Sequence, residues 1–288
     1  MHYLIEHRTE LAFPSAVREH VCELRVLPRN NGQRLGEWSI DFDPAAEART
    51  YEDAFGNTVH WFGIVEPHES LVTTLRARVE TTLSNPFAYD PVEPLREADW
   101  LDEAKWREPR LWDFVLHRSA ATPDLDHTEF PLPFPERASG APLLESVQAA
   151  VAWIREHFDY APGVTHVHSS LAETLAARSG VCQDFAHLLV AIVRRWGVPA
   201  RYAAGYAEPE DDGATEHGAG ATHAWAQVLI PGAGWRGFDA TNGLVVNDTY
   251  VTAAVGRDYQ DAAPQRGSFK GEDPGTPPDV SVRVVHED

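Results

Sequence analysis

A lone cysteine at the head of an amphipathic pattern sets the terms for this chain. In SGVCQDFAHLLVAIVRRWGVPARYAAGY, residues 179–206, apolar side chains at Phe185, Leu188, Leu189, Ile192, Val193 and Trp196 follow i, i+3, i+4, i+7 spacing. That spacing predicts a helix with one buried stripe, and Cys182 falls on the stripe one turn earlier. Ser179 reads as the N-cap and Gly197 as the C′ residue, so the helix is predicted from about Val181 to Trp196, with a strand following. In the first turn, unpaired N–H groups and the positive end of the helix dipole favour an anion, here a thiolate. Most free cysteines are small buried hydrophobes, and the helix alone leaves both roles open.

A thiol nucleophile needs a base. In THAWAQVLI, residues 222–230, a strand would put His223, Trp225, Gln227 and Leu229 on one face and an apolar set, which reads as core, on the other. The chain turns at Pro231-Gly232-Ala233-Gly234 and returns as WRGFDA, residues 235–240, with Trp235, Gly237 and Asp239 on a common face. An antiparallel register centred on Pro231 sets Asp239 opposite His223. A carboxylate there would fix the imidazole's tautomer and stabilise the imidazolium formed when the thiol loses its proton.

The segments GVCQDFAHLL, GVPARYAAGY, THAWAQV, GWRGFDATNG and GRDYQDAAPQRG together resemble the core of the bacterial transglutaminase-like superfamily. The resemblance covers about Leu144 to Gly271 and implies a papain-like fold with a Cys-His-Asp triad. Carried over residue by residue, it assigns the nucleophile to Cys182, the base to His223 and the orienting acid to Asp239. Two departures, Ala240 after the acid and Gln227 after the histidine strand begins, leave those three untouched. The passage RTYEDAFGNTVHWFGIVEPHESLVTTLRARVE resembles the β-rich region that precedes this core in bacterial members. The implied fold class is α+β: a β-sandwich-like N-terminal domain, then a nucleophile-bearing helix packed on an antiparallel sheet.

Within 1–100, the runs MHYLIEH, AVREHVCELRVLP, WSIDFDP, NTVHWFGIVEP and LVTTLRARVET are candidate strands, with turns at Phe55-Gly56-Asn57 and Glu66-Pro67-His68. His60 and Trp61 are expected to finish a sandwich face. Residues 101–142 form a connector, with Trp100, Trp106 and Trp112 in a short helical pattern and a boundary loop at 129–142. The core spans 143–271, opening on an amphipathic helix, LLESVQAAVAWIREH, at 143–157. A short helix near 170–178 is capped by Ser169. The loop 208–221 borders either the cleft or solvent. Residues 272–288 are a tail ending in the alternating strand DVSVRVVH, suited to a sheet edge.

Cys22 and Cys182 are the only cysteines and fall in separate predicted domains, so no disulfide framework is expected and Cys22 reads as structural. The net charge of −20 and the absence of a basic cluster argue against nucleic acid and anionic membrane surfaces as partners. Charges at the N-terminus and the lack of a long apolar run favour a cytoplasmic protein. His166 and His168 alternate as on a strand face, but with Cys182, His187 and His217 they fit no familiar zinc spacing, so no metal or cofactor is implied. His187 is expected to be packed, and Arg257 and Asp258 to brace the site. The expected chemistry is acyl transfer on peptide or protein amides through a thioester, hydrolysis ahead of transglutamination, with a non-catalytic peptide-binding module as the alternative. The oxyanion would be held by the Cys182 N–H and a second donor, either Gln183 or the Trp225 indole.

Overall fold

The computed structural model describes residues 1–125, 137, 140–208, 222–272 and 275–287. The first region is built on one long strand, β1 (His2–Leu24). Around it pair β2 (Gln33–Asp43), β3 (Arg49–Glu52), β4 (Thr58–Ile64) and β5 (His68–Thr81), in the order β2-β5-β1-β4-β3. The first two candidate strands are thus one strand. Its pairing with β5 shifts register between Ala12 and Val17, and beyond that irregularity it pairs with β4. The two halves of β1 face each other across a core holding Cys22, Leu24, Phe62 and Ile64 on one side and Leu71, Leu75 and Ala77 on the other. The strand β3 was absent from the sequence reading, since all four of its residues are exposed and show no alternation.

Helices α1 (Glu97–Arg107) and α2 (Asp113–Leu116), with the 3₁₀ turn 109–112 between them, form the connector and contribute Leu101, Leu111 and Phe114 to the second core. Next come α3 (Leu143–His157), β6 (Asp159–Tyr160), α4 (Leu171–Ala177), β7 (Ser179–Gly180) and α5 (Cys182–Arg195). Helix α3 has the predicted bounds. Ser170, not Ser169, caps α4: its hydroxyl accepts from Glu173 N while Glu173 Oε2 accepts from Ser170 N.

The core sheet is antiparallel, in the order β11-β10-β9-β8-β12. Its strands are β8 (Ala200–Ala207), β9 (His223–Ile230), β10 (Gly234–Asp239), β11 (Leu244–Val245) and β12 (Tyr250–Gly256). Helix α5 lays Phe185, Leu188, Leu189, Ile192 and Val193 against this sheet and α3, and all five are at most 2% exposed. Full burial of one such side chain is worth about 1.5–3 kcal/mol, so this stripe fixes the helix, and with it Cys182, on the sheet.

After the short helix α6 (Tyr259–Ala262), the chain returns to the first region. There β13 (Gln265–Lys270) pairs with the second half of β1, and β14 (Asp279–Glu287) with its first half. The tail therefore does reach a sheet edge. The end of the stretch read as core also lies in the N-terminal sheet. The boundary loop and the loop before β9, including His217, fall mainly outside the described residues. No helix among the described residues is long and apolar enough to cross a membrane.

Candidate active site

Cys182 is the first residue of α5 and half-buried. The cap is not Ser179, which lies in β7 paired with Asp159. The N-cap position is Val181, whose N–H donates at 2.8 Å to the carboxylate of Asp184, which also takes the Thr165 hydroxyl at 2.6 Å. Gly180 leaves room for this: a Cβ there would stand 2.7 Å from Asp184 Oδ2. An acid three residues past the cap is the signal that the sequence reading passed over. At the far end Gly197, with φ of +72°, supplies the expected left-handed C′ residue.

His223 opens β9, and Asp239 ends β10. The hairpin pairs Gly234 with Ile230 and Phe238 with Ala226, a register two residues away from the predicted one. Its loop is the three-residue turn 231–233, closed by Ala233 N donating to Ile230 O. Because side chains alternate with period two, that shift keeps His223 and Asp239 on one face and makes them diagonal neighbours. His223 Nε2–H donates to Asp239 Oδ2 at 2.6 Å, and both groups are buried. The face bearing His223 and Trp225, expected to be the less buried one, is covered by Val246 and Tyr250.

The carboxylate is held from several sides. Tyr250 Oη donates to Asp239 Oδ2 at 2.7 Å and Asn242 Nδ2 donates to it at 2.8 Å, while Thr241 N and Asn242 N donate to Oδ1. Burial raises the carboxyl's pKa, but the attraction and hydrogen bond of His223, with those of Tyr250 and Asn242, outweigh it and leave Asp239 below its ordinary value. Burial likewise pulls the His223 imidazole down. The Asp239 charge and hydrogen bond, followed by a hydrogen bond and attraction from Cys182, overcome this and raise it to about 10. Tyr250 and Asn242 had no sequence signal as site residues, because their roles depend on the segment after β10 folding back over the acid.

Cys182 and His223 share a cavity of about 330 Å³ whose lining also includes Gln183, Tyr202, Tyr259 and, from the first region, His7, Thr9 and Val280. Gln183 thus reaches the cavity. Trp225 does not: it is fully buried, edge-on to Tyr250, and its indole N–H has no partner. His187 is packed against Tyr202 and accepts from Tyr259 N, and burial lowers its pKa to about 4. Asp258 pairs with His117 and Arg257 with Asp261, rather than with Cys182, His223 or Asp239. His166 and His168 lie in turns rather than on a strand, with His168 N donating to His166 Nδ1. No group of three or more His, Cys, Asp or Glu among the described residues is arranged to hold a metal ion.

Comparison with known proteins agrees with this architecture. Residues 136–240 match the Transglutaminase-like superfamily, and residues 3–80 match the Bacterial transglutaminase-like N-terminal region. The uncharacterized protein ML0607 of Mycobacterium leprae is 32% identical over 285 residues, covering 98% of this chain and 97% of its own. Rv2569c of Mycobacterium tuberculosis, also uncharacterized, is 31% identical over 291 residues, covering 98% and 92%. A solved structure from Cytophaga hutchinsonii, described as "a Putative Cysteine Protease", shares the fold with a TM-score of 0.74 at 24% identity, over 100% of this chain and 92% of that one. The chain belongs to the transglutaminase-like superfamily, with the bacterial N-terminal region ahead of its core.

Proposed function

We propose that the protein is a cysteine-dependent acyl-transfer enzyme that acts on amide bonds of peptides or proteins, with Cys182 as nucleophile, His223 as base and Asp239 as orienting acid. The observation that carries this reading is the buried His223–Asp239 pair, with His223 and Cys182 lining one cavity. His223 takes the thiol proton through the nitrogen not bound to Asp239. Sγ then adds to the amide carbonyl, and the oxyanion is held by the Cys182 N–H at the start of α5 with Gln183 beside it. The C–N bond breaks as His223 returns the proton to the departing amine, leaving a thioester. Water, deprotonated by His223, attacks the thioester and regenerates the thiol.

We favour water over a lysine amine as the acceptor. The test is incubation with dimethylcasein and monodansylcadaverine. The reading expects cleaved peptide bonds or released ammonia without dansyl incorporation, and a Cys182-bound acyl group detectable by mass spectrometry. Dansyl incorporation would make the acceptor an amine; no acyl group at Cys182 and no product would leave a peptide-binding module.

A further inference from the structure

A second cavity, of about 580 Å³, lies beside the first. The two share Val167, Tyr259, Gln265 and Pro278 in their walls, so the space around Cys182 continues past α6 onto β13. Its far wall is the outer face of the N-terminal sheet, where cross-strand pairing sets Arg266 beside Glu23 and Glu23 beside Trp61, with Val21 beside Ser268 and Gly63. Three apolar side chains are left facing solvent along this course: Val167 at 46% exposure, and Val21 and Trp61 at 38% each. The amide oxygen of Gln265, in the wall common to both cavities, is buried and lacks a partner.

From these we infer that the groove from Cys182 across the outer face of β13 and β1 to Trp61 is a subsite for an extended peptide, which lays an apolar side chain on Trp61 and Val21. The inference rests on the acyl-transfer reading. Its occupant follows from continuity: whatever is joined to the reacting carbonyl must leave the first cavity, and this exit offers an aromatic platform with the Glu23 and Arg266 side chains beside it. Trp61 is otherwise left partly wet on the strand face. The N-terminal sheet thereby becomes part of substrate selection, since Trp61 and Val21 lie some 120 or more positions before the nucleophile in sequence.

The test uses covalent probes whose reaction needs only the thiol. Iodoacetamide is compared with a series of bromoacetyl-(Ala)n-Leu amides, n from 0 to 5, and second-order rate constants at Cys182 are read by mass spectrometry. The expected result is a maximum at one length, about tenfold above the shortest probe, the factor that burial of one apolar side chain can supply. In Trp61→Ala and, separately, Val21→Ser the ratio of that probe's rate to the iodoacetamide rate falls to the value of the shortest probe. Rapid iodoacetamide labelling with no length dependence would overturn the groove and leave the nucleophile standing. A length maximum that persists in both variants would overturn the assignment to Trp61 and Val21. Slow iodoacetamide labelling of Cys182 would overturn the acyl-transfer reading, and the groove with it.

Discussion

The molecule contains two cysteine–histidine chains, and they have opposite electrostatics. In the N-terminal sheet, His68 Nδ1–H donates to Glu66 O, which leaves its Nε2 to accept from His20 Nδ1–H at 3.2 Å, and His20 Nε2 in turn faces Cys22 Sγ at 3.4 Å. Burial, with His68 as a second cause, lowers His20 to about 4, and burial pushes the Cys22 thiol up to about 11. In the core the imidazole beside Cys182 backs onto a carboxylate and rises to about 10. The same two side-chain types thus give a neutral packed pair in one place and a proton-holding pair in the other. What separates them is the third group, together with the placement of the thiol at the start of a helix rather than near the end of a strand.

The largest effects should come from removing the reactive chain. Cys182→Ala is expected to abolish acyl transfer in a product assay, whereas Cys22→Ala leaves it within about threefold, because Cys22 lies outside the triad. Next comes Asp239→Asn, which makes the core chain resemble the N-terminal one by deleting its carboxylate. Activity should fall about 10⁴-fold, the loss seen when the orienting acid of a triad is neutralised. Imidazole NMR should show the His223 titration falling from about 10, since only Cys182 is then left to oppose burial. An unchanged titration would separate His223 from Asp239 and break the comparison.

Tyr250→Phe removes one of the hydrogen bonds on Asp239 and is expected to cost about tenfold in rate, the equivalent of one charged hydrogen bond of about 1.5 kcal/mol. A purely structural Tyr250 would instead lower the melting temperature without moving the alkaline limb of the pH profile. The smallest effects concern stability against pH. His223 has a folded pKa above its unfolded value, so its contribution is complete below pH 6.5 and is lost as pH rises through about 10. His7 and His20 are lowered to about 4, so their contribution is complete above pH 6.5 and is lost as pH falls through about 4; buried His187 in the core behaves the same way. Hydrogen exchange should therefore show β1 loosening in acid, and β9 loosening in alkali in a manner that His223→Gln removes.

The parts of this arrangement legible in sequence were those carried by local period. The α5 stripe, the exact extent of α3 and the common face of His223 and Asp239 all follow from spacing along one element. The hairpin register erred by two residues because a loop of Pro, Gly and Ala admits several turns, yet alternation preserved the face. Capping by Asp184, the Tyr250 and Asn242 clamp on Asp239, and the return of β13 and β14 to β1 depend on contacts between distant segments. Neither propensity nor periodicity reports such contacts. The merging of two predicted strands into β1 was hidden for a related reason: a register irregularity breaks the alternation at 12–17 without ending the strand.

The most direct measurement is site-resolved iodoacetamide labelling at pH 7 of Cys182 and Cys22 in the folded protein and in His223→Ala. The account predicts that Cys182 reacts about 10²-fold faster than Cys22, whose raised pKa and burial suppress its thiolate, and that the advantage falls at least tenfold without His223. Equal rates at the two cysteines, or a Cys182 rate indifferent to His223, would contradict it.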